Sequence, residues 1–175
     1  MKKSTKKELS KFLKQATKAE LEKEIKKLYD KFELVKQYYQ LELAEDTTVI
    51  VDEFKAKLRK EYFPSRGYGR GRNSVSRKVV SDFKKIAVFK KDVIDLLLYR
   101  VEVMLEYTNA YGDIDEAFYN SLTRSFDEAC KLIQKEQLKA AYKIYCEELI
   151  NEARNFGWGC SDAMNYSYQQ YLAFA

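Results

Sequence analysis

The chain contains no histidine. This excludes Ser-His-Asp and Cys-His nucleophilic catalysis, histidine general bases and most zinc sites, all of which depend on an imidazole. Di-iron carboxylate bundles need Glu-x-x-His motifs and are excluded with them. Proline occurs once and glycine six times in 175 residues. Sandwiches and barrels need many tight turns, so this scarcity speaks for helices joined by short polar connections. No apolar run approaches the roughly 20 residues that span a bilayer. The basic start, Met1-Lys2-Lys3-Ser4-Thr5-Lys6-Lys7, leads into no apolar segment of the secretory type. A cytoplasmic location without membrane association is expected. The three cysteines, Cys130, Cys146 and Cys160, are odd in number and widely spaced. They read as reduced thiols in the core, not as a disulfide framework or a metal site. No cofactor is expected.

What is present supports a sizeable core. Apolar residues make up 46% of the chain, aromatic residues 14% and charged residues 34%. That is the composition of an ordinary globular protein, and residues 1–175 are expected to form a single domain. A short first helix is predicted from about Lys6 to Gln15. Thr17 and Glu20 then form a T-x-x-E capping box that opens a second helix. Leu21, Ile25, Leu28, Phe32, Val35 and Tyr39 follow at spacings of three and four, one apolar stripe running to about Leu43. Asp46-Thr47-Thr48 offers the next start, Val51, Phe54 and Leu58 carry that helix towards Tyr62, and Pro64 stops it. Beyond the loop, Ser74 opens a helix with Val75, Val79, Phe83 and Ile86 on its inner face. The segment from about Asp92 to Thr108 is apolar over most of its circumference, which places it at the centre of a bundle. Its polar positions Asp92, Asp95, Tyr99, Glu102 and Glu106 form one narrow stripe. Two further helices, about Glu116–Gln134 and Glu136–Asn155, read as a hairpin resembling one unit of a helical-repeat protein, and a last helix begins near Ser161. The expected architecture is all-α, about seven or eight helices in a bundle or short superhelix around residues 92–108.

Charge is segregated along the chain. Residues 55–91 carry 13 basic and two acidic groups, a net of +11, whereas residues 92–175 carry seven basic and 14 acidic groups, a net of −7. A local field of this kind attracts polyanions. The loop Ser65-Arg66-Gly67-Tyr68-Gly69-Arg70-Gly71-Arg72-Asn73 holds three of the six glycines. It supplies guanidinium forks for phosphate oxygens and a ring for base stacking. Arg66, Tyr68, Arg70 and Arg72, with Arg77, Lys78, Lys84 and Lys85 on the following helix, are the candidate nucleic-acid-binding residues. The loop is not a nucleotide fingerprint, because it lacks G-x-x-x-x-G-K-[ST] and no strand precedes it. Against the polyanion reading stands a plain one: a solvated lysine face, or basic groups paired internally with the stripe Asp92, Asp95, Glu102 and Glu106.

Two other readings compete. Repeat-like hairpins and tyrosines suggest a protein-interaction scaffold. Asp113 and Asp115, near the end of the helix bearing Glu102 and Glu106, offer oxygen ligands for a divalent cation in a metal-dependent hydrolase. The plainer role for Asp113 is to cap the helix that follows, with Asp115 and Glu116 favouring its N-terminal dipole. Trp158, between two glycines, reads either as an exposed recognition residue or, more plainly, as a core plug that folds back.

Three stretches together carry a resemblance. They are Glu61-Tyr62-Phe63-Pro64-Ser65-Arg66-Gly67, Tyr107-Thr108-Asn109-Ala110-Tyr111-Gly112-Asp113-Ile114 with Phe118-Tyr119, and Gly157-Trp158-Gly159. The chain resembles, over nearly its whole length, a family of small uncharacterised helical bacterial proteins common in Bacteroidota, a domain of unknown function. The resemblance implies a bacterial cytoplasmic helical protein and no particular activity. It directs attention to the turns Phe63–Gly67 and Asn109–Asp113.

Overall fold

The chain order is α1 (Lys6–Gln15), α2 (Lys18–Lys31), α3 (Glu33–Glu42), α4 (Thr48–Tyr62), α5 (Asn73–Ile86), α6 (Lys90–Tyr111), α7 (Glu116–Lys135), α8 (Lys139–Ala153) and α9 (Cys160–Tyr168), with a turn of π-helix at Gln169–Ala173. These elements come from a computed structural model that describes residues 5–173. The architecture is all-α, as composition predicts. Nine helices rather than seven or eight are found among the described residues, because the helix expected to run unbroken to Leu43 divides at Phe32. Phe32 is extended, with φ −122° and ψ 113°. The break turns α3 back along α2, setting the Tyr29 and Tyr39 rings 6.5 Å apart and Ile25 beside the same hollow as Leu43. A straight helix would have left this stripe facing water, whereas folded back its two halves partly cover each other. The start of α2 is as the T-x-x-E spacing predicts: the Glu20 amide donates to Thr17 Oγ1 at 3.3 Å, and the Thr17 amide donates to Glu20 Oε2 at 2.8 Å.

α6 is the centre of the assembly. Val93, Ile94, Leu96, Leu97, Leu98, Val101, Val103, Met104 and Leu105 are all buried, and α4, α5, α7 and α8 all pack against this helix. Burying one such side chain contributes about 1.5–3 kcal/mol. The contiguous buried surface of α6 therefore explains why it is the organising element. α9 closes over α7 and α8. The acidic stripe of α6 is answered mainly from α4 and α8. Arg59 makes a two-pronged ion pair with Glu106 at 2.6 and 2.7 Å, and the hydroxyls of Tyr142 and Tyr145 donate to Asp95 and Glu102, each at 2.5 Å.

Around the turn after α6 the capping role falls to the second of two carboxylates, not to the first as expected. Asp115, not Asp113, caps α7, accepting from the Phe118 amide at 2.7 Å. Asp113 instead accepts from the Tyr119 hydroxyl at 2.7 Å and from Trp158 Nε1 at 3.2 Å. Trp158 is therefore no core plug. It remains 57% exposed, anchored by its indole N–H. The three stretches that carry the family resemblance meet here: Tyr62 and Phe63 pack against Tyr107, Phe118 packs against Tyr62, Tyr107 and Tyr119, and Asp113 ties Tyr119 to Trp158. Cys130, Cys146 and Cys160 are free thiols in the core, as expected, and burial pushes the Cys160 thiol up to about 11. No helix among the described residues is long and apolar enough to cross a membrane.

Candidate functional site

The Arg-Gly loop is fastened to the end of α4 by its backbone. The amides of Arg70 and Gly71 donate to the Glu61 carbonyl, at 3.1 and 3.4 Å, and the Gly69 carbonyl accepts from the Tyr107 hydroxyl at 3.1 Å. Its glycines serve this fastening. A Cβ at Gly69 would overlap the Tyr62 carbonyl, and one at Gly71, where φ is +56°, would lie 2.9 Å from the Tyr107 ring. The close approach these glycines permit is thus to the chain's own aromatic residues, not to a ligand.

The eight candidate side chains divide. Arg72 is committed internally, with its amide, Nε and Nη2 all donating to the Glu61 carboxylate at 2.8–3.0 Å. These bonds hold the Glu61 carboxyl below its usual range, the Arg72 side chain being the largest cause. Lys78 and Lys85 both reach Asp82 at 2.6 Å, and Lys84 reaches Glu128 at 2.6 Å. Arg66, Arg70 and Arg77 form no ion pair with a described carboxylate, although Arg70 is close enough to Glu61 to favour its charge. Tyr68 is 85% exposed and stands edge-on to Tyr111, itself exposed, with ring centres 6.1 Å apart. Internal pairing of the basic segment is therefore real but partial. Its partners are Asp52, Glu61, Asp82 and Glu128 as well as the α6 stripe, which receives Arg59 and Lys91.

α5 does not present one basic face. Arg77, Ser81 and Lys84 look into a cleft between α5 and α7, while Lys78 and Lys85 flank Asp82 elsewhere on the helix. The cleft, about 230 Å³, is lined also by Arg100 of α6 and by Ser121, Arg124, Ser125 and Glu128 of α7. Arg100 is fully buried. Its Nε donates to Ser76 Oγ at 3.0 Å, Nη1 to the Ser121 carbonyl at 3.0 Å and to Ser125 Oγ, and Nη2 to Ser121 Oγ at 2.7 Å. Ser76 Oγ also accepts from the Tyr62 hydroxyl at 2.8 Å. No described carboxylate pairs with Arg100, and burial pushes its pKa down. A guanidinium nevertheless stays protonated in proteins. A full charge is therefore held in the interior by neutral oxygens.

Sequence reasoning passed over Arg100 because it counted charge by segment. One arginine in a segment of net charge −7 is invisible to such a count. The available signal was a cation on the apolar arc of a helix otherwise solid with Leu, Val and Ile.

The carboxylates offer less. Among the described residues no three His, Cys, Asp or Glu side chains are placed to hold a metal ion. Asp113 and Asp115 are occupied by Trp158, Tyr119 and the start of α7. Asp92 is buried with Oδ2 unpartnered, and desolvation raises its pKa.

A family model described as a family of unknown function, DUF6155, matches residues 4–171, and the chain belongs to that family. No curated protein and no solved structure matches the chain. The resemblance read from the three short stretches thus holds over nearly the whole chain, at the level of a family without an assigned activity.

Proposed function

We propose that this member of the DUF6155 family binds single-stranded nucleic acid without catalysing a reaction on it, over the Arg-Gly loop and the adjoining part of α5. One observation carries the reading. Tyr68 and Tyr111 form an exposed aromatic pair beside a loop whose Arg66 and Arg70 have no ion pair to break. Stacking a base on such a ring contributes about 1–3 kcal/mol and tolerates any sequence. Free guanidiniums supply phosphate contacts that a paired lysine supplies only after giving up its carboxylate. Arg77 extends the strip along α5. Lys78, Lys84 and Lys85 contribute to the field rather than to direct contacts, and Arg72 shapes the loop.

The division sets the experiment. Labelled single-stranded RNA is titrated with the wild type, with Arg66→Ala/Arg70→Ala and with Tyr68→Ala. Arg72 is left in place because its loss would disturb Glu61 and the loop itself. Both variants are expected to weaken binding at least tenfold, and a wild-type affinity in the double variant would remove the proposed surface.

A scaffold role for the N-terminal helices has its own observation. α1 and α2 bury no residue, and Leu9, Phe12, Leu13, Ile25, Phe32, Leu34 and Leu43 are exposed along α1–α3. Exposed apolar side chains at this density are a feature of association surfaces where they lie together. Sedimentation would detect such a surface as self-association or partner binding lost in Phe12→Glu/Leu13→Glu. A wild type that is monomeric and partner-free at high concentration would count against it.

A further inference from the structure

We infer that the cleft between α5 and α7 is a binding site for a terminal phosphate, the dianionic group of a phosphomonoester. It goes beyond strand binding at the loop and does not depend on it, although Arg77 serves both and Lys84, a source of field there, lines the cleft here. Three guanidiniums converge on the cleft: Arg100 beneath its floor, and Arg77 and Arg124 at its exposed rim. Lys84 and Glu128 line it as a pair, 2.6 Å apart, so their charges offset and those of the three arginines do not. A buried cation without a counter-ion is costly, and an anion at the site would supply the missing charge.

The hydroxyls give the second, independent observation. Ser121 and Ser125 are each 7% exposed and line the cleft. Their Oγ atoms accept from Arg100, and neither hydroxyl donates to a described atom. Each therefore keeps a proton to offer, polarised by the guanidinium behind it. Charge passes from Arg100 through Ser121 and Ser125 to the cleft as O–H donors, the form an oxyanion accepts. A second hollow, about 350 Å³, adjoins at Arg77, Ser121 and Arg124 and is lined further by Asn73, Ala117 and Asn120. Asn73 Nδ2 donates to the Ala117 carbonyl at 3.2 Å, and its Oδ1 is buried without a partner at the edge of this second hollow.

The site favours a terminal over an internal phosphate. A cleft that ends on a buried side chain admits a group attached at one point, whereas a phosphodiester must leave in two directions. A terminal phosphate also carries about two negative charges near neutral pH and an internal diester carries one. The phosphate could belong to a small metabolite or to the end of a nucleic-acid strand.

Thermal unfolding in inorganic phosphate, against sodium chloride at equal ionic strength, tests the site. Phosphate is expected to raise the midpoint beyond chloride, because a ligand that binds only the native state stabilises it. Arg77→Gln/Arg124→Gln should lose this excess. Both side chains are exposed, so the variant should keep its fold, which circular dichroism checks. Ser125→Ala should weaken phosphate roughly tenfold through loss of one charge-assisted donor. As a measurement free of variants, broadening of the phosphate ³¹P line by the wild type should be reversed by sulfate and not by chloride.

Strands with a 5′-phosphate and a 5′-hydroxyl then separate the sources. Arg66→Ala/Arg70→Ala should retain the phosphate response even though its strand binding is weakened, so failure at the loop and failure at the cleft are distinguishable. Phosphate acting no differently from chloride, or acting undiminished on Arg77→Gln/Arg124→Gln, would overturn the site.

Discussion

Arg100 brings a positive charge into the middle of the helices with three serine hydroxyls and one carbonyl as its partners among the described residues. Truncating it removes a large buried side chain and leaves the Ser121 and Ser125 hydroxyl oxygens without their donor, while Ser76 keeps the Tyr62 hydroxyl. Arg100→Ala is expected to destabilise by about 3–5 kcal/mol in urea unfolding, the range for a large cavity combined with orphaned polar groups. A loss below about 1 kcal/mol would mean that the interior closes over the gap. Gly69 is a second such point. The overlap of a Cβ with the Tyr62 carbonyl requires the loop to move off α4. Gly69→Ala is expected to cost about 2 kcal/mol, as overpacking does.

Glu61 provides a pH test at the same scale. Its folded-state pKa lies below the ordinary 4.5. The stability it contributes through Arg72 is therefore complete above about pH 4.5 and is lost as pH falls through the lowered folded value. The stability gap between wild type and Glu61→Gln should be constant from pH 7 to pH 5 and shrink below about pH 4. A gap that widened on acidification would contradict the assignment.

At the scale of elements, periodicity carried most of the information. The capping box, the stop at Pro64 and the apolar circumference of α6 were legible because each depends on local spacing. The break at Phe32 was not, since no proline or glycine marks it and the stripe continues through it. The break goes with the return of Tyr39 towards Tyr29, a contact made in three dimensions. The role of Asp113 escaped for a similar reason, because it depends on Trp158 arriving from 45 residues away. Hydrogen exchange should reproduce this ordering. Amides of α6 and α7, buried on several sides, should exchange most slowly, and those of α1, which buries nothing, fastest. Comparable protection in α1 and α6 would show that α1 is covered in solution.

For the whole molecule, the segregated charge was plain in the sequence, but its meaning was not. A count of basic residues cannot distinguish Lys78, held by Asp82, from Arg70, which forms no ion pair. The fold performs that sorting. It withdraws four of the eight candidate residues into ion pairs and leaves Arg66, Arg70, Arg77 and Tyr68 outward. It also adds Arg124 and the buried Arg100, which the segment count assigned to an acidic half.

The most direct test of nucleic-acid binding is the salt dependence of affinity for single-stranded RNA between about 50 and 200 mM. Three arginines without an ion pair, contacting phosphates, should release about two counterions, a slope of log K on log salt near −2, which falls by more than half in Arg66→Ala/Arg70→Ala. A steep slope that the double variant leaves unchanged, or no binding at the lowest salt, would contradict the account.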